Sequence, residues 1–239
     1  MTIKRVIALG LTLAMTLTLT GCFSFLGLGD DDSSKPSTRK GGSGRSATSE
    51  ETRAQINKAA ALLMEGDYGR ALPELMKARE MDPKNADVEN FLGLAYYGLK
   101  DYSQAVTCFE NALKFNPKRS DVHNNLGLVY LAQQNYDKAL EEFNTCLKDL
   151  TYQKKHLPLS NIGLAYLEMG RYDESLAALT RATEVAPEYP KSYQLIGRVN
   201  LAKNKYSEAA KYLRKAQELD PNDPTTQQLL SEATSRGGR

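Results

Sequence analysis

The chain has 239 residues, with 31 basic and 29 acidic side chains, and this near balance lacks the basic footprint by which a protein neutralises nucleic-acid phosphates. Three cysteines are too few for a fold built on disulfides. A hydrophobic share of 41% with 25% charged residues instead suits a chain able to bury a core.

The first element is a targeting signal. MTIKR supplies two cations, and Val6 to Thr20 then run without a charge, a segment too short to span a bilayer core comfortably and patterned as a secretory leader. Leu19-Thr20-Gly21-Cys22 closes it and resembles the lipobox of bacterial lipoproteins. That resemblance implies cleavage after residue 21, thioether lipidation of Cys22 and acylation of the new amino terminus. The covalent lipid is then the only prosthetic group expected, with no metal or other cofactor. Several acyl chains at about 0.8 kcal/mol per buried CH₂ would hold the chain to a lipid bilayer without any further hydrophobic segment. Phe23 stands where enterobacterial lipoproteins retained in the inner membrane carry Asp, so the expected location is the outer membrane, facing the periplasm. Loss of residues 1–21 removes Lys4 and Arg5 and leaves acidic and basic side chains equal in number.

Residues 22–51 read as a tether. After Leu28 the composition turns to DDDSSKPSTRKGGSGRSATSE, which buries too little surface to offset its ordering entropy. Its typical reach is about 30 Å.

A repeat follows. Tyr68, Tyr102, Tyr136, Tyr172 and Tyr206 recur at a period near 34 residues, each beside a break between helical patterns, and this self-similarity predicts stacked helix pairs. The units are 52–85, 86–119, 120–155, 156–189 and 190–223. Position 8 of the unit is Gly93, Gly127, Gly163 and Gly197; position 20 is Ala71, Ala105, Ala139, Ser175 and Ala209; position 32 is Pro83, Pro117, Pro187 and Pro221. Small residues let two helices approach where they cross, and proline stops the second helix. Residues 224–236, PTTQQLLSEATSR, form one more amphipathic helix that caps the stack, giving a helical domain over 52–236. In the first unit, Lys58-Ala59 and Pro73 depart from the pattern. Cys108 and Cys146 fall on helices of different units, and two unpaired buried thiols are expected.

These positions closely resemble the tetratricopeptide repeat, which implies an all-α superhelix whose first helices line a concave groove. Its positions 5, 9 and 12 then supply the candidate partner-binding residues Asn90, Leu94, Tyr97, Asn124, Leu128, Leu131, Ser160, Leu164 and Leu167. Two readings of the leucines stand: an open apolar stripe able to receive an amphipathic segment, or packed core. For Asn57, Asn125 and Asn161 at position 6, tying adjacent helices is as good a reading as contacting a partner. No unit pairs Lys at position 5 with Asn at position 9, the residues by which chaperone-docking relatives hold a peptide carboxylate. His123 and His156 lack neighbours with ligand or nucleophile spacing, no phosphate-binding glycine loop occurs, and no enzyme or small-molecule substrate is expected.

The run NNLGLVYLAQQNYDKALEEFNTCLKDLTYQKKHLPLSNIGLAYLEMG, with a third unit two residues longer and Thr151 in place of its closing proline, resembles type IV pilus pilotins of the PilF/PilW and Tgl group. That resemblance implies an outer-membrane lipoprotein that binds secretin subunits and promotes their insertion and multimerisation. The competing reading is a general periplasmic scaffold lipoprotein serving another envelope complex, such as polysaccharide secretion or cell-wall enzymes. Fold alone does not decide between them.

Overall fold

The computed structural model describes residues 47–238; the leader 1–21, Cys22 and the tether as far as residue 46 lie outside them. Eleven helices run in sequence through the described residues: α1 Ala47–Met64, α2 Tyr68–Met81, α3 Ala86–Gly98, α4 Tyr102–Phe115, α5 Ser120–Ala132, α6 Tyr136–Lys148, α7 His156–Glu168, α8 Tyr172–Val185, α9 Pro190–Ala202, α10 Tyr206–Leu219 and α11 Pro224–Gly237. The architecture is all-α. The helix α1 begins five residues before the expected start of the helical domain at 52, so residues 47–51 of the expected tether are helical. None of the described helices is long and apolar enough to cross a membrane.

Each repeat tyrosine is the first residue of a second helix, and the turn before it has one form. The fifteenth residue of every unit, Gly66, Lys100, Gln134, Gly170 and Asn204, has a φ between 56° and 75°. In the second unit the Lys100 amide donates to the Tyr97 carbonyl (2.9 Å) and the Asp101 amide to that of Tyr96 (2.9 Å). This is the left-handed cap that satisfies the last carbonyls of a helix. Asp67 and Asp101 then accept from Arg70 and Gln104 amides and start the next helix. At the other end of the unit the helix-capping residues Asp82, Asn116, Ala186 and Asp220 immediately precede the four prolines, whose missing amide ends the helix there.

Packing explains position 8. A Cβ on Gly93 would lie 2.6 Å from the Phe109 ring and one on Gly127 2.5 Å from that of Phe143. Each aromatic ring thus lies directly on the backbone of its partner helix. At position 20, Ser175 Oγ donates to the Gly163 carbonyl (2.6 Å), so the one hydroxyl in a series of alanines is satisfied across the same hairpin. The core runs between the two helix layers through Leu75, Leu92, Phe109, Phe143, Leu179, Leu195 and Leu213, all fully enclosed. The last helix packs Leu229 and Leu230 against the cluster of Ala209, Ala210 and Leu213 and covers the end of the stack. Cys108 and Cys146 are free and buried, and burial pushes both thiols up to about 12.

The longer third unit is held by one carboxylate. Asp149 follows α6 and accepts from Ser120 Oγ (2.6 Å), from the Thr151 amide (2.8 Å) and from Thr151 Oγ1 (2.7 Å). These donors pull its pKa down to about 2. The turn that replaces the proline presents Leu150, 85% exposed, at its tip.

Candidate functional site

The first helices α1, α3, α5, α7, α9 and the cap α11 each touch their counterpart in the next unit. That contact corrects the expectation of an open leucine stripe. Leu94 and Leu128 are 1% exposed and Leu164 8%: position 9 faces the neighbouring first helix, and these side chains are core. What remains partly accessible is position 12, where Tyr97, Leu131 and Leu167 are half-buried and pack at the edges of the core clusters.

The polar candidates are also enclosed. Asn90, Asn124 and Ser160 are buried, and their side chains join the units to one another. Asn125 Nδ2 donates to Asn90 Oδ1 (3.1 Å) and Asn161 Nδ2 to Asn124 Oδ1 (2.9 Å). Ser160 and Ser192 hydroxyls share a bond of 2.9 Å, and Gln194 Nε2 donates to Thr226 Oγ1 (3.0 Å). A continuous series of polar contacts therefore crosses every junction from the second unit to the cap. Position 5 of one unit meets position 6 of the next at the two amide pairs, which makes Asn125 and Asn161 structural. Asn57 is exposed and takes no place in the series. A buried amide that lost its partner would cost about 1–3 kcal/mol, so these pairs fix the register of one unit on the next and leave no amide row for a ligand.

The rim of this face is charged and internally compensated. Arg119, the last residue of unit two, holds Asp121 of unit three through two nitrogens (2.8 and 2.7 Å) and also reaches Asp87 of its own unit. Arg198 meets Glu168 (3.1 Å) and Lys203 meets Asp173 across the junction of units four and five. The half-buried row Tyr97, Leu131 and Leu167 thus lies along helices whose edges carry paired charges of both signs. Such a row suits an amphipathic polypeptide more than a highly charged one. Neither histidine takes part: His123 Nδ1 pairs with Glu142 (2.7 Å), and the His156 ring packs, tilted, 4.7 Å from that of Tyr189, with burial lowering its pKa.

A second concavity was not foreseen from sequence. Leu159, Ile162 and Tyr166 of α7, Glu174, Ala177, Ala178 and Arg181 of α8, and Asn144 of α6 line a cleft of about 240 Å³. Its sequence signal is the pair Ala177-Ala178, where the other units carry larger residues.

Family models described as tetratricopeptide repeat match residues 52–75, 93–134, 118–188 and 161–224. No curated protein matches in sequence. Among solved structures, PilW, described as a widely conserved type IV pilus biogenesis factor, is 22% identical with a TM-score of 0.72, covering 78% of this chain and 86% of its own. PilF of Pseudomonas aeruginosa is 20% identical with a TM-score of 0.68, covering 80% and 87%. YrrB, described as a tetratricopeptide protein with an unusual peptide-binding site, is 22% identical with a TM-score of 0.56, covering 79% and 98%.

Proposed function

The chain is a tetratricopeptide-repeat protein, and we propose that it is a lipid-anchored scaffold of a type IV pilus system, binding secretin subunits at the outer membrane and promoting their multimerisation. The observation that carries the reading is the likeness of the whole helical array, over most of both chains, to PilW and PilF. The leader ending at Cys22 supports it independently, because a lipid at that residue would place the array where a pore assembles. The reading assigns the chain no catalytic step: one polypeptide surface holds another.

In this mechanism the lipid on Cys22 fixes the chain to the periplasmic side of the outer membrane, and the segment before residue 47 sets how far the array stands from it. A secretin segment lies along the first-helix face and covers the solvent-facing edges of Tyr97, Leu131 and Leu167 until assembly buries its own apolar side. Leu94, Leu128 and Leu164 act only by holding the helices that carry this row.

The test uses purified secretin periplasmic domains and the chain with Leu131→Lys and Leu167→Lys together, at positions already half in water. Binding measured by calorimetry should weaken at least tenfold while circular dichroism keeps its helical signal. Unchanged affinity in a folded double variant would remove this face from the account.

A further inference from the structure

The array has two edges. First helices begin and second helices end at one of them, and the left-handed turns within each helix pair lie at the other. Among the exposed large hydrophobic residues, Met81, Leu150 and Val185 stand at the first edge, where Met81 and Val185 end α2 and α8 and Leu150 follows α6. Leu150 is the most exposed of them, and its position is fixed. Asp149 accepts from Ser120 and from both donors of Thr151, and the Lys155 ammonium donates to the Leu150 carbonyl (3.4 Å). Folding the turn back to cover this side chain would break those bonds.

Cations surround it. Across residues 114–121 and 148–156, Lys114, Lys118, Arg119, Lys148, Lys154 and Lys155 stand against Asp121 and Asp149. Both carboxylates are already engaged, Asp121 by Arg119 and Asp149 by Ser120 and Thr151. The bond from Ser120 to Asp149 brings the two segments together. Lys114, Lys118 and Lys148 are exposed and make no ion pair among the described residues. Elsewhere the edge is different: Asp82 balances Lys84 in unit one, and Glu184 and Glu188 flank Val185 in unit four. The basic part is thus confined to units two and three, around Leu150.

We propose that this part of the edge is a membrane-contact surface, resting on anionic phospholipid with Leu150 inserted at the boundary of the acyl chains and the lysines among the headgroups. An apolar peg ringed by long cationic side chains suits that boundary, because the peg leaves water while the ammonium groups stay in it. The chain also enters α1 at this edge, at Ala47, so a lipid at Cys22 would hold the edge near the bilayer. Tethering raises the effective concentration of the contact, and one too weak to capture the chain from solution then suffices. The consequence is orientation. The helices point away from the bilayer, and the first-helix face looks sideways along it, open to another polypeptide. The inference rests on the expected lipid at Cys22 and not on the partner being a secretin.

The chain contains no tryptophan, so one substitution supplies a unique fluorophore. The experiment uses the whole lipid-modified chain carrying Leu150→Trp, or Met64→Trp at the opposite edge, reconstituted into vesicles of phosphatidylethanolamine with phosphatidylglycerol or of phosphatidylcholine alone. In the anionic vesicles, emission from Leu150→Trp should move to shorter wavelength, and bromine-labelled acyl chains should quench about half of it; Met64→Trp should show neither effect. Adding Lys118→Glu and Lys148→Glu should abolish both effects while circular dichroism keeps the helical signal. Equal emission from Leu150→Trp in the two kinds of vesicle would overturn the proposal, as would equal quenching at the two edges or quenching that survives the two glutamates. A shift that grows with protein density on phosphatidylcholine would also overturn it, by assigning Leu150 to a contact between copies. A chain that does not float with the vesicles would contradict the lipid at Cys22 and this proposal together, whereas loss of the membrane contact alone would leave the proposed function standing.

Discussion

At the scale of single residues, the array is set by where side chains are absent. Gly127 lets the Phe143 ring rest on the α5 backbone, and a methyl group there would come within 2.5 Å of ring carbon. Either the ring tilts off its packing or the hairpin opens, and such overpacking costs about 1–3 kcal/mol. Gly127→Ala should therefore lower stability by that amount in urea denaturation, despite the better helix propensity of alanine. A midpoint equal to wild type would mean that the ring has room the packing does not show.

Turns and helix pairs set how each unit follows the last. Lys100 and Gln134 adopt the left-handed turn conformation with a Cβ, whereas Gly66 and Gly170 fill the same position without one. An L-residue there is strained by about 1–2 kcal/mol, offset in part by the chain entropy that glycine loses on folding. Lys100→Gly should raise stability by about 0.5–1 kcal/mol, read as a higher thermal midpoint; a lower one would mean that the Lys100 side chain contributes something the turn geometry does not. Helix pairs were legible in the sequence because period, glycine and proline are local signals. The fate of Leu94, Leu128 and Leu164 was not, since position 9 becomes core only when neighbouring first helices close on each other, a tertiary distance that no residue encodes by itself. The amide pairs lay between these cases. Asn90 with Asn125 and Asn124 with Asn161 stand at matching repeat positions, five and six of successive units, but only the closeness of successive first helices turns that match into a bond.

For the whole molecule, the central claim is that a rigid repeat array, carried by lipid to the outer membrane, raises the yield of assembled secretin. The array is suited to rigidity by its interlocked junctions, from the Arg119–Asp121 bridge between units two and three to the Gln194 contact with the cap. In the proposed mechanism anchoring and assembly are separable, because the first would depend on Cys22 and the second on the helical face. The most direct measurement is the amount of heat-resistant secretin multimer in outer membranes of a deletion strain complemented with wild type or with Cys22→Ser. Wild type should restore multimers fully, while Cys22→Ser should restore less than about a tenth and leave secretin monomers in the inner membrane. Equal multimer levels with and without the gene would contradict the account.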